Sequence, residues 1–537
     1  MNNVEVQRLA FARVSQLSKL DKAYARNDSR LSPFYKWPLV YSSFERLIEE
    51  KSFPPEHRKV LVEALKEQYS AMAPSIVHQH IELLSQANTF TVTTAHQPGL
   101  GTGPLYVIYK ILNVIHLAQS LRVRYRNYNF VPVFWSGDED HDFEEVNHFR
   151  LFGKTITWGD YQGGSVGQYQ IDSLAEVLET TSELLGNSPR AQEIVQILRE
   201  SYTQKQNYKA ATFHLIHRLF SAYGLIVLDS SKATLKALMR NIFRSELEEQ
   251  FSRQLVGETT RALVQAGFKN QAHPRAINLF YLSPHQRNRI VLEDERYRVL
   301  GTDKVFDKEA IVRELEKNPQ RFSPNVILRP LYQERILPNL AYVGGGGELA
   351  YWLERKTQFE HFGVSFPVLI RRTSVLWVNA QQNKQLRDFE LSVEDLFLTP
   401  AELTKTYLTA HSEGELSLEQ EKTRVTSIFA TILKKTQAVD QSLQGTVWAQ
   451  QKQVLKALDK LEKRLIRAEK QKQERSLNKV LKLQDKLFPK GSLQERKDNL
   501  WNFYFKYGAE FIPQLLKHLD PMQKGFLILK EDDKISK

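Results

Sequence analysis

The 537-residue chain contains no cysteine. It can therefore form no disulfide bond, no zinc–thiolate site and no thiol nucleophile. It also lacks an apolar run of about eighteen residues, which a membrane-spanning helix would need. The N-terminal segment is amphipathic, without the basic start and apolar block of a secretory signal. We therefore expect a cytoplasmic protein with no membrane partner, and we expect its N-terminal segment to be a helix.

Hydrophobic residues make up 42% of the chain and charged residues 25%, as in ordinary globular proteins. Such a length exceeds what one hydrophobic core organises, so two or three domains are expected. Changes of pattern predict three parts. These are an N-terminal helical part over 1–88, a core over 89–390 with insertions at about 150–220 and 240–325, and a C-terminal helical coiled-coil domain over 391–537.

The hydrophobic period changes near residue 89. Residues 89–94 read as a strand, 106–121 as a long apolar helix and 130–135 as a second buried strand. This order is a βαβ unit, which favours a parallel sheet. Further strands are predicted at 225–228, 326–328 and 367–370, irregular β structure at 278–300, and a hairpin at 150–170 that turns at Gly163-Gly164. The predicted fold class is α/β, an open doubly wound parallel sheet.

The C-terminal part carries a coiled-coil pattern and much of the positive charge. The formal net charge is +12, and residues 431–490 contain 15 Lys or Arg but only 6 Asp or Glu. Two amphipathic helices packed on the core would explain the pattern, but the charge favours a protruding helical hairpin that pairs two copies. A nucleic-acid surface is less favoured, because aromatic residues for base stacking are missing. Apolar residues recur at steps of four and three in Val454, Leu458, Leu461, Leu465 and Ala468, and again in Leu477, Val480, Leu483 and Leu487.

The first candidate site follows the strand at 89–94. The segment AHQPGLGTGP, residues 95–104, places Gly99, Gly101 and Gly103 between a strand and a helix. Glycine lets a ligand approach the backbone, and free N–H groups at a helix N-terminus favour phosphate or carboxylate. A tight turn that needs glycine is an equal alternative. His96, with Gln97 beside it, favours a site, because ligands bind beyond the carboxyl ends of parallel strands.

The second candidate follows the next strand and so falls on the same sheet edge. In WSGDEDHDFEE, residues 135–145, six Asp or Glu and one His lie within eight residues. Such a loop could bind Mg²⁺ or an amine, with Asp138, Asp140 and Asp142 as the candidate carboxylates. His141 beside them could act as a general base. An acidic helix cap is the alternative, but the shared edge favours function.

The third candidate combines arginines with a run of glycines. Residues 344–347 are four consecutive glycines before a helical stretch, and they form a second candidate anion cradle in which Gly345 and Gly346 would bind substrate. A flexible hinge is an equal alternative, and Glu348 could be a helix cap. Three arginines could bind substrate carboxylates, namely Arg329, Arg371 and Arg372. Ion pairs at the protein surface are an equal alternative for them.

The fourth candidate lies near the C-terminus. The segment FPKGSLQER, residues 488–496, is followed by Asn499, Trp501 and Tyr504. Aromatic rings beside Arg496 could hold an adenine ring. The same cluster could instead anchor the helical arm to the core, and we favour the anchor.

Together these segments resemble the bacillithiol biosynthesis cysteine-adding enzymes, the BshC family. The resemblance extends from residue 1 to about 530 and rests on TAHQPGLGTGPLYVIYK, PVFWSGDEDHDFEEVNH, GLIVLDSS, GGGGELAYWLE and FPKGSLQER. It implies a Rossmann-like core with inserted connecting segments and a C-terminal coiled coil used for homodimerisation. It also implies a ligase that adds L-cysteine to the amine of glucosaminyl-malate to form bacillithiol.

The resemblance places the substrate site at the sheet edge and an adenine nucleotide, ATP or ADP, in a second pocket near the coiled coil. It assigns no metal ligand, although Mg²⁺ could accompany the nucleotide. The expected catalytic residues are His96, Asp138, Asp140 and His141. The expected substrate-binding residues are Gln97, Gly99, Gly101, Gly103, Asp142, Arg329, Gly345, Gly346, Glu348, Arg371 and Arg372. The expected nucleotide-binding residues are Arg496, Asn499, Trp501 and Tyr504.

Joining a carboxylate to an amine in water requires activation, and the sequence leaves open whether an acyl-adenylate or an acyl-phosphate is formed. Two other functions are weighed. A nucleotidyl-transferring ligase of another pathway would release pyrophosphate with a different carboxylic acid. A non-enzymatic protein that binds nucleic acid through the basic segment would show salt-sensitive binding to DNA or RNA; we expect no nucleic-acid partner.

Overall fold

The computed structural model describes residues 4–412 and 416–532. They form two compact units. Residues 10–376 and 494–527 make up the first unit, and residues 4–9, 377–493 and 528–532, without 413–415, make up the second. This division differs from the predicted boundary at residue 390, because the segment after residue 493 returns to the first unit.

The strands, in chain order, are β1 Val4–Leu9, β2 Thr89–His96, β3 Asn129–Ser136, β4 His148–Leu151, β5 Lys154–Thr157, β6 Ile226–Asp229, β7 Leu279–Ser283, β8 Gln286–Glu293, β9 Arg296–Val299, β10 Val305–Phe306, β11 Phe322–Pro324, β12 Asn339–Gly344, β13 Val368–Arg371, β14 Val375–Val378 and β15 Phe526–Glu531.

The helices are α1 Lys19–Ala25, α2 Tyr41–Glu50, α3 Pro55–Gln68, α4 Ile76–Leu83, α5 Leu105–Arg124, α6 Phe143–Val146, α7 Leu174–Leu185, α8 Pro189–Tyr202, α9 Tyr208–Phe220, α10 Ala233–Ala237, α11 Arg240–Glu249, α12 Phe251–Gln265, α13 Lys308–Lys317, α14 Arg329–Ile336, α15 Gly346–Leu353, α16 Lys356–His361, α17 Ala380–Asp388, α18 Pro400–His411, α19 Glu419–Val439, α20 Gln444–Lys472, α21 Glu474–Leu487, α22 Leu500–Tyr507 and α23 Phe511–His518.

A five-stranded parallel sheet is the centre of the first unit. Its order is β13-β12-β2-β3-β6. Numbered along the chain this is 5-4-1-2-3, the Rossmann order seen from the other edge, and the predicted α/β class is confirmed. The winding direction reverses between β2 and β12. A crevice therefore opens beyond the carboxyl ends of these two strands.

Both faces of this sheet are covered. Alternate residues of a strand point to opposite faces, so Val131 and Val133 join one apolar cluster while Phe130 joins another. Val114 and Leu117 of α5 belong to the second cluster. Burial on both faces explains why the strands read as continuous apolar runs.

Two insertions flank the sheet. Between β3 and β6, the hairpin β4–β5 and helices α7, α8 and α9 contribute to a separate apolar cluster. Between α12 and α14, an antiparallel sheet has the order β10-β9-β8-β7-β11. The β structure predicted at 278–300 is therefore confirmed.

Three local predictions are wrong. The N-terminal segment contains the strand β1 rather than a helix, because it is placed in a sheet of order β1-β15-β14. Residues 326–328 form a turn, in which the Ile327 N–H donates to the Asn325 side chain at 2.8 Å, and not a strand. The hairpin turns at Phe152-Gly153 rather than at Gly163-Gly164. The strand β12 was not predicted.

The second unit contains the long helices. α19 and α20 pack side by side as a helical hairpin. The second heptad segment is not an arm of this hairpin, because its apolar residues in α21 are buried. The predicted interruption near Lys472 is the break between α20 and α21. Several apolar side chains of the hairpin stay exposed, among them Trp448, Leu461 and Leu465. Within the described residues, we find no helix with both the length and the apolar character needed to cross a membrane.

Candidate active site

A cavity of about 730 Å³ lies at the crevice where β2 and β12 end. Its walls come from the carboxyl ends of β2, β3 and β12, from α14 and α15, and from the antiparallel insertion. The predicted site residues in these walls are His96, Gln97, Asp140, Arg329, Gly345, Glu348, Arg372 and Arg496. The predicted residues outside these walls are Gly99, Gly101, Gly103, Asp138, His141, Asp142, Gly346, Arg371, Asn499, Trp501 and Tyr504.

His96 is held as a neutral imidazole. Its Nδ1 donates to the Gln97 carbonyl oxygen at 2.9 Å, so Nε2 is left as the acceptor of the Tyr106 hydroxyl, also at 2.9 Å. Burial, together with the nearby Lys110 ammonium, lowers the pKa of His96 to about 4. The ring is therefore in its basic form at neutral pH, with its acceptor nitrogen occupied by Tyr106.

Two guanidinium groups lie near the Tyr106 ring. Arg372 lies 5.0 Å and Arg496 5.9 Å from the centre of its ring. Arg372 is itself neutralised by Glu495, whose Oε1 accepts at 2.7 Å, whereas Arg496 has no carboxylate partner among the described residues. Burial raises the pKa of Tyr106 to about 12, so the phenol keeps its proton and directs it to His96.

A buried ion pair between Lys110 and Glu348 lies near β12. Lys110 Nζ lies 2.8 Å from Glu348 Oε2 and also donates to the Ala95 carbonyl oxygen. Glu348 further accepts the Tyr342 hydroxyl at 2.5 Å and the Gly345 N–H at 2.9 Å. Although burial acts in the opposite direction, Lys110 and these donors lower the pKa of Glu348 to about 2. Glu348 is thus a carboxylate whose charge is neutralised by Lys110. It also caps α15, which is the alternative role that the sequence analysis gave for this residue.

Arg329 presents an uncancelled positive charge to the cavity. Its guanidinium lies 5.5 Å from the centre of the Tyr342 ring and 6.0 Å from that of Trp135. No carboxylate of the described residues pairs with it. Despite burial, the neighbouring Tyr351 and Tyr342 hydroxyls hold the pKa of Arg329 above its usual value. This side chain is suited to bind an anion.

The antiparallel insertion supplies a second cationic wall. Arg287 stacks on Phe280, 3.9 Å from the ring centre, and its Nη1 donates to His141 Nδ1 at 2.8 Å. Burial and this guanidinium lower the pKa of His141. Arg275 and Arg289 line the same wall. His141 therefore positions an arginine and lies just behind the cavity surface.

The acidic residues of the loop at 138–145 have different partners. Gln97 Nε2 donates to Asp140 Oδ2 at 3.2 Å and to Glu145 Oε2 at 2.8 Å, which holds this amide at the cavity edge. Glu139 pairs with the buried Lys236, with 2.7 Å between oxygen and nitrogen. Asp142 accepts from the Glu145 N–H and so caps α6, which is the alternative the sequence offered for this loop.

Asp138 is buried behind the cavity. Its Oδ1 accepts the Ser136 hydroxyl at 2.7 Å, and its backbone oxygen accepts the Gly167 N–H at 3.0 Å. Burial and the nearby Asp229 raise the pKa of Asp138 to about 7. Its side chain does not reach the cavity, so the predicted direct catalytic role does not fit this position.

No metal cluster is formed by these residues. Over 4–412 and 416–532, no group of three or more His, Asp or Glu side chains is placed to hold a metal ion. The carboxylates of the acidic loop diverge toward Ser136, Lys236 and the α6 N-terminus. Mg²⁺ carried by a nucleotide therefore stays a prediction, and this loop by itself does not gather the ligands for one.

The glycine turn is a structural turn rather than an anion cradle. Gly101 has φ +57° and Gly103 φ +70°, which explains the glycines there. The Gly101 N–H donates to the Tyr202 hydroxyl at 2.8 Å, and the Leu105 N–H at the start of α5 donates to the Asp498 carbonyl oxygen at 2.8 Å. A Cβ on Gly99 would lie 2.7 Å from Gly103 Cα. The turn packs against itself and other protein groups, and its glycines do not line the cavity, so their role in substrate binding stays a prediction.

Two other predicted substrate contacts are also occupied. Arg371 is buried and pairs with Asp21, with 3.0 Å between Nε and Oδ1. Gly346 packs against the same aspartate, since a Cβ there would lie 2.6 Å from Asp21 Cγ. These residues fix α1 against α15 and do not face the cavity.

Most of the predicted nucleotide-binding residues also have protein partners outside the cavity. Trp501 is 0% exposed and Tyr504 is buried in the same apolar cluster, with its hydroxyl donating to Glu193 Oε1 at 2.6 Å. Asn499 Nδ2 donates to the carbonyl oxygens of Gly101 at 2.8 Å and Gly103 at 2.6 Å. These three side chains hold α22 within the first unit, and of the four predicted residues only Arg496 lines the cavity.

Sequence reasoning missed three residues that line the cavity, Tyr106, Arg287 and Tyr351, and the buried Lys110 that pairs with Glu348. Tyr106 and Lys110 lie one turn apart on α5 and were read as part of an apolar helix. A lysine within such an apolar stretch is a signal that could have identified Lys110, because a buried ammonium needs a partner. Arg287 and Tyr351 carry no comparable local signal.

The fold and the cavity define a Rossmann-like enzyme with a substrate-sized crevice at its topological switch point. Residues 4–373 match the model of the N-terminal Rossmann-like domain of bacillithiol biosynthesis BshC, and residues 375–531 match that of its C-terminal coiled-coil domain. The chain belongs to the BshC family.

Curated relatives match along nearly their whole length. A protein of Flavobacterium johnsoniae described as "Putative cysteine ligase BshC" is 40% identical over 515 residues, which cover 95% of this chain and 97% of the relative. A protein of Cytophaga hutchinsonii with the same description is 38% identical over 522 residues, covering 97% and 98%. A third, from Salinibacter ruber, is 31% identical over 474 residues, covering 86% of each chain.

Proposed function

We propose that the chain is a cytoplasmic ligase that joins the carboxyl group of L-cysteine to the amine of glucosaminyl-malate, forming bacillithiol with ATP-dependent activation of the carboxylate. The observation that supports it most is the cavity of about 730 Å³, which combines guanidinium groups free of carboxylate partners with a neutral histidine. Family membership and the description of the relatives support the same reaction.

The cationic wall suits the malate end of the substrate. Glucosaminyl-malate carries two carboxylates, and Arg329 and Arg287 face the cavity without a carboxylate partner among the described residues. Guanidinium groups bind carboxylates through two parallel hydrogen bonds. Together they would hold the malate end away from the reacting amine.

The opposite wall suits the amine. The amine attacks as the free base and loses a proton as the amide forms. The Tyr106 hydroxyl donates a hydrogen bond to His96 Nε2, so its oxygen presents a lone pair to an amine N–H. As the amide forms, the amine proton would pass to this oxygen while the phenol proton passes to His96 Nε2. Asp140 and the Gln97 amide would orient the amine beside it.

The activating nucleotide would place its phosphates near Arg496. This guanidinium and that of Arg372 both lie within 6 Å of the centre of the Tyr106 ring, so negative charge that develops at the activated carboxyl group would be stabilised there. Mg²⁺ would arrive with the phosphates. Whether AMP or ADP is released distinguishes an adenylate from an acyl-phosphate.

The reaction test uses the full chain with L-cysteine, glucosaminyl-malate and Mg-ATP, and mass spectrometry detects bacillithiol together with AMP or ADP. We expect Arg329→Gln to lower kcat/KM by roughly a hundredfold, because a charge-assisted contact is lost. Arg296→Gln, at an exposed position on β9 away from the cavity, is the matched control and should retain activity. A wild-type protein that forms no bacillithiol under these conditions would refute the proposal.

We also propose that two copies pair through the α19–α20 hairpin. Its support is the set of exposed apolar side chains on these helices, which include Ile428, Ile432, Trp448, Leu461 and Leu465. Apolar residues that recur at heptad spacing gain free energy when a second such helix covers them.

A further inference from the structure

Within the described ranges, the hydrogen-bond partners of the Arg329 guanidinium are neutral groups. Its Nη1 donates to Gln333 Oε1 at 3.1 Å, and its Nη2 donates to the Tyr351 hydroxyl at 3.2 Å. Both contacts fix the direction of the guanidinium without adding negative charge. Arg329 therefore makes no salt bridge within the described residues, and its guanidinium stays available to a ligand in the cavity.

The Gln333 amide can face Arg329 in only one orientation. Gln333 is 0% exposed, and its Nε2 donates to Glu334 Oε1 at 2.9 Å. Rotating the amide by half a turn would place an NH₂ group against the guanidinium and an oxygen against the carboxylate. The carbonyl oxygen of Gln333 must therefore be the atom that meets Arg329.

Glu334, the neighbouring carboxylate, has partners other than Arg329 at both of its oxygens. Its Oε1 also accepts Asn339 Nδ2 at 2.6 Å, and its Oε2 lies 3.8 Å from Lys51 Nζ. The Asn339 side-chain oxygen in turn accepts the hydroxyls of Thr91 at 3.2 Å and Thr93 at 2.9 Å. This network ties the Gln333 amide to β2 and β12, the two strands whose ends form the crevice.

We propose that Gln333 is a positioning residue that sets the specificity of the cavity for an anionic substrate. A carboxylate at this position would pair with Arg329 and cancel the charge that a substrate carboxylate needs. A neutral acceptor orients the same guanidinium and leaves it available. The proposal rests on the proposed function for the identity of the anion, the malate end of glucosaminyl-malate, but it concerns binding and can be measured without turnover.

The sharpest test exchanges the two neighbours. The double variant Gln333→Glu/Glu334→Gln keeps one carboxylate and one amide in the same buried network, so the buried charge is unchanged. The carboxylate at position 333 then pairs with Arg329. We expect the Kd of glucosaminyl-malate, measured by isothermal titration calorimetry on the full chain, to rise roughly tenfold to a hundredfold. In turnover, KM should rise far more than kcat.

A second ligand separates charge recognition from general damage. The dimethyl ester of glucosaminyl-malate has the same sugar and amine but lacks both carboxylates. Its Kd should be the same for the exchanged variant and the wild type. Gln333→Met, which adds no charge, should weaken diacid binding by a smaller factor and serves if the exchanged variant does not fold. Gln358→Met is the matched control, because Gln358 is also 0% exposed but donates to Ser252 outside the cavity.

Three results would overturn the proposal. The first is that both Gln333 variants bind the diacid as tightly as the wild type. The second is that the diacid and the diester lose affinity equally, which would indicate a structural role alone. The third is a wild type that binds no diacid. A wild type that binds the diacid but forms no bacillithiol would refute the proposed reaction and leave this binding comparison valid.

Discussion

Asp138 is a buried acid whose protonation is linked to folding. Its pKa is about 7 in the folded protein against 3.8 for an ordinary aspartate, because burial and Asp229 disfavour the charged form. The folded state therefore binds more protons than the unfolded state between these values. It follows that the contribution of Asp138 to the free energy of unfolding falls as pH rises from about 4 to about 7 and is then constant.

We expect Asp138→Asn to remove this pH dependence. The amide oxygen can still accept the Ser136 hydroxyl, and no charge is buried at high pH. Relative to the wild type, the variant should gain up to about 4 kcal/mol of unfolding free energy between pH 4 and pH 8. Urea denaturation across this range measures it. Asp303→Asn, at an exposed position, is the control, and a variant whose stability stays parallel to the wild type at every pH would contradict the assignment.

At the scale of elements, the Asn499 side chain joins the glycine turn to the start of α22. Its amide nitrogen donates to the Gly101 and Gly103 carbonyl oxygens, and its oxygen accepts the Trp501 N–H at 3.0 Å. Asn499→Asp keeps the helix cap but turns an oxygen toward two buried carbonyl oxygens. We expect a loss of roughly 2–4 kcal/mol in unfolding free energy, measured by urea denaturation.

The matched control for this change is Asn207→Asp. Asn207 caps α9 by accepting the Ala210 N–H at 3.0 Å and clamps no carbonyl pair. Aspartate and asparagine are about equal as helix caps, so this variant should stay within roughly 0.5 kcal/mol of the wild type. Equal effects at the two positions would show that Asn499 is only a cap.

Elements with a strong local pattern were predictable. The strand β3 and the helix α5 were recognised because their apolar runs are long and their ends carry turn residues. The strand β12 was missed because NLAYVG is short and leads directly into four glycines. It becomes a strand by pairing with β2, in a register that joins Asn339 to Thr91 across the fold. Non-local pairing of this kind leaves little trace in the sequence.

The candidate site was predictable in location more than in detail. His96 and the acidic loop meet at one edge because β2 and β3 are parallel neighbours. The positions of Asp138 and Gly101 outside the cavity walls were not predictable, since burial and partners decide whether a polar group faces a ligand. Gln333 could not be foreseen either, because its role depends on which neighbour occupies each side of its amide.

At the scale of the whole molecule, the exposed apolar residues of α20 offer a test of pairing. Leu461 is 48% exposed and Leu465 is 36% exposed, and they lie one helical turn apart. Burying each such side chain more fully would contribute on the order of 1–2 kcal/mol. We expect Leu461→Lys/Leu465→Lys to convert a dimer to a monomer in light scattering coupled to size-exclusion chromatography.

The control for the pairing test is Val123→Lys, at a position of the first unit that is 74% exposed. It should leave the molar mass unchanged. A wild type that is monomeric at micromolar concentration would contradict the pairing proposal, as would a double variant that stays dimeric.

The return of residues 494–527 to the first unit has a consequence for biosynthesis. The hydrogen bond that Asn499 donates to Gly103 spans 396 residues of chain. At about 5–20 residues per second, a ribosome needs roughly 20–80 s to reach Asn499 after it has made the glycine turn. During that interval the nascent Rossmann sheet has neither its clamp nor α22. A chaperone that shields this edge on the ribosome would therefore act on the growing chain until almost its last residues are made.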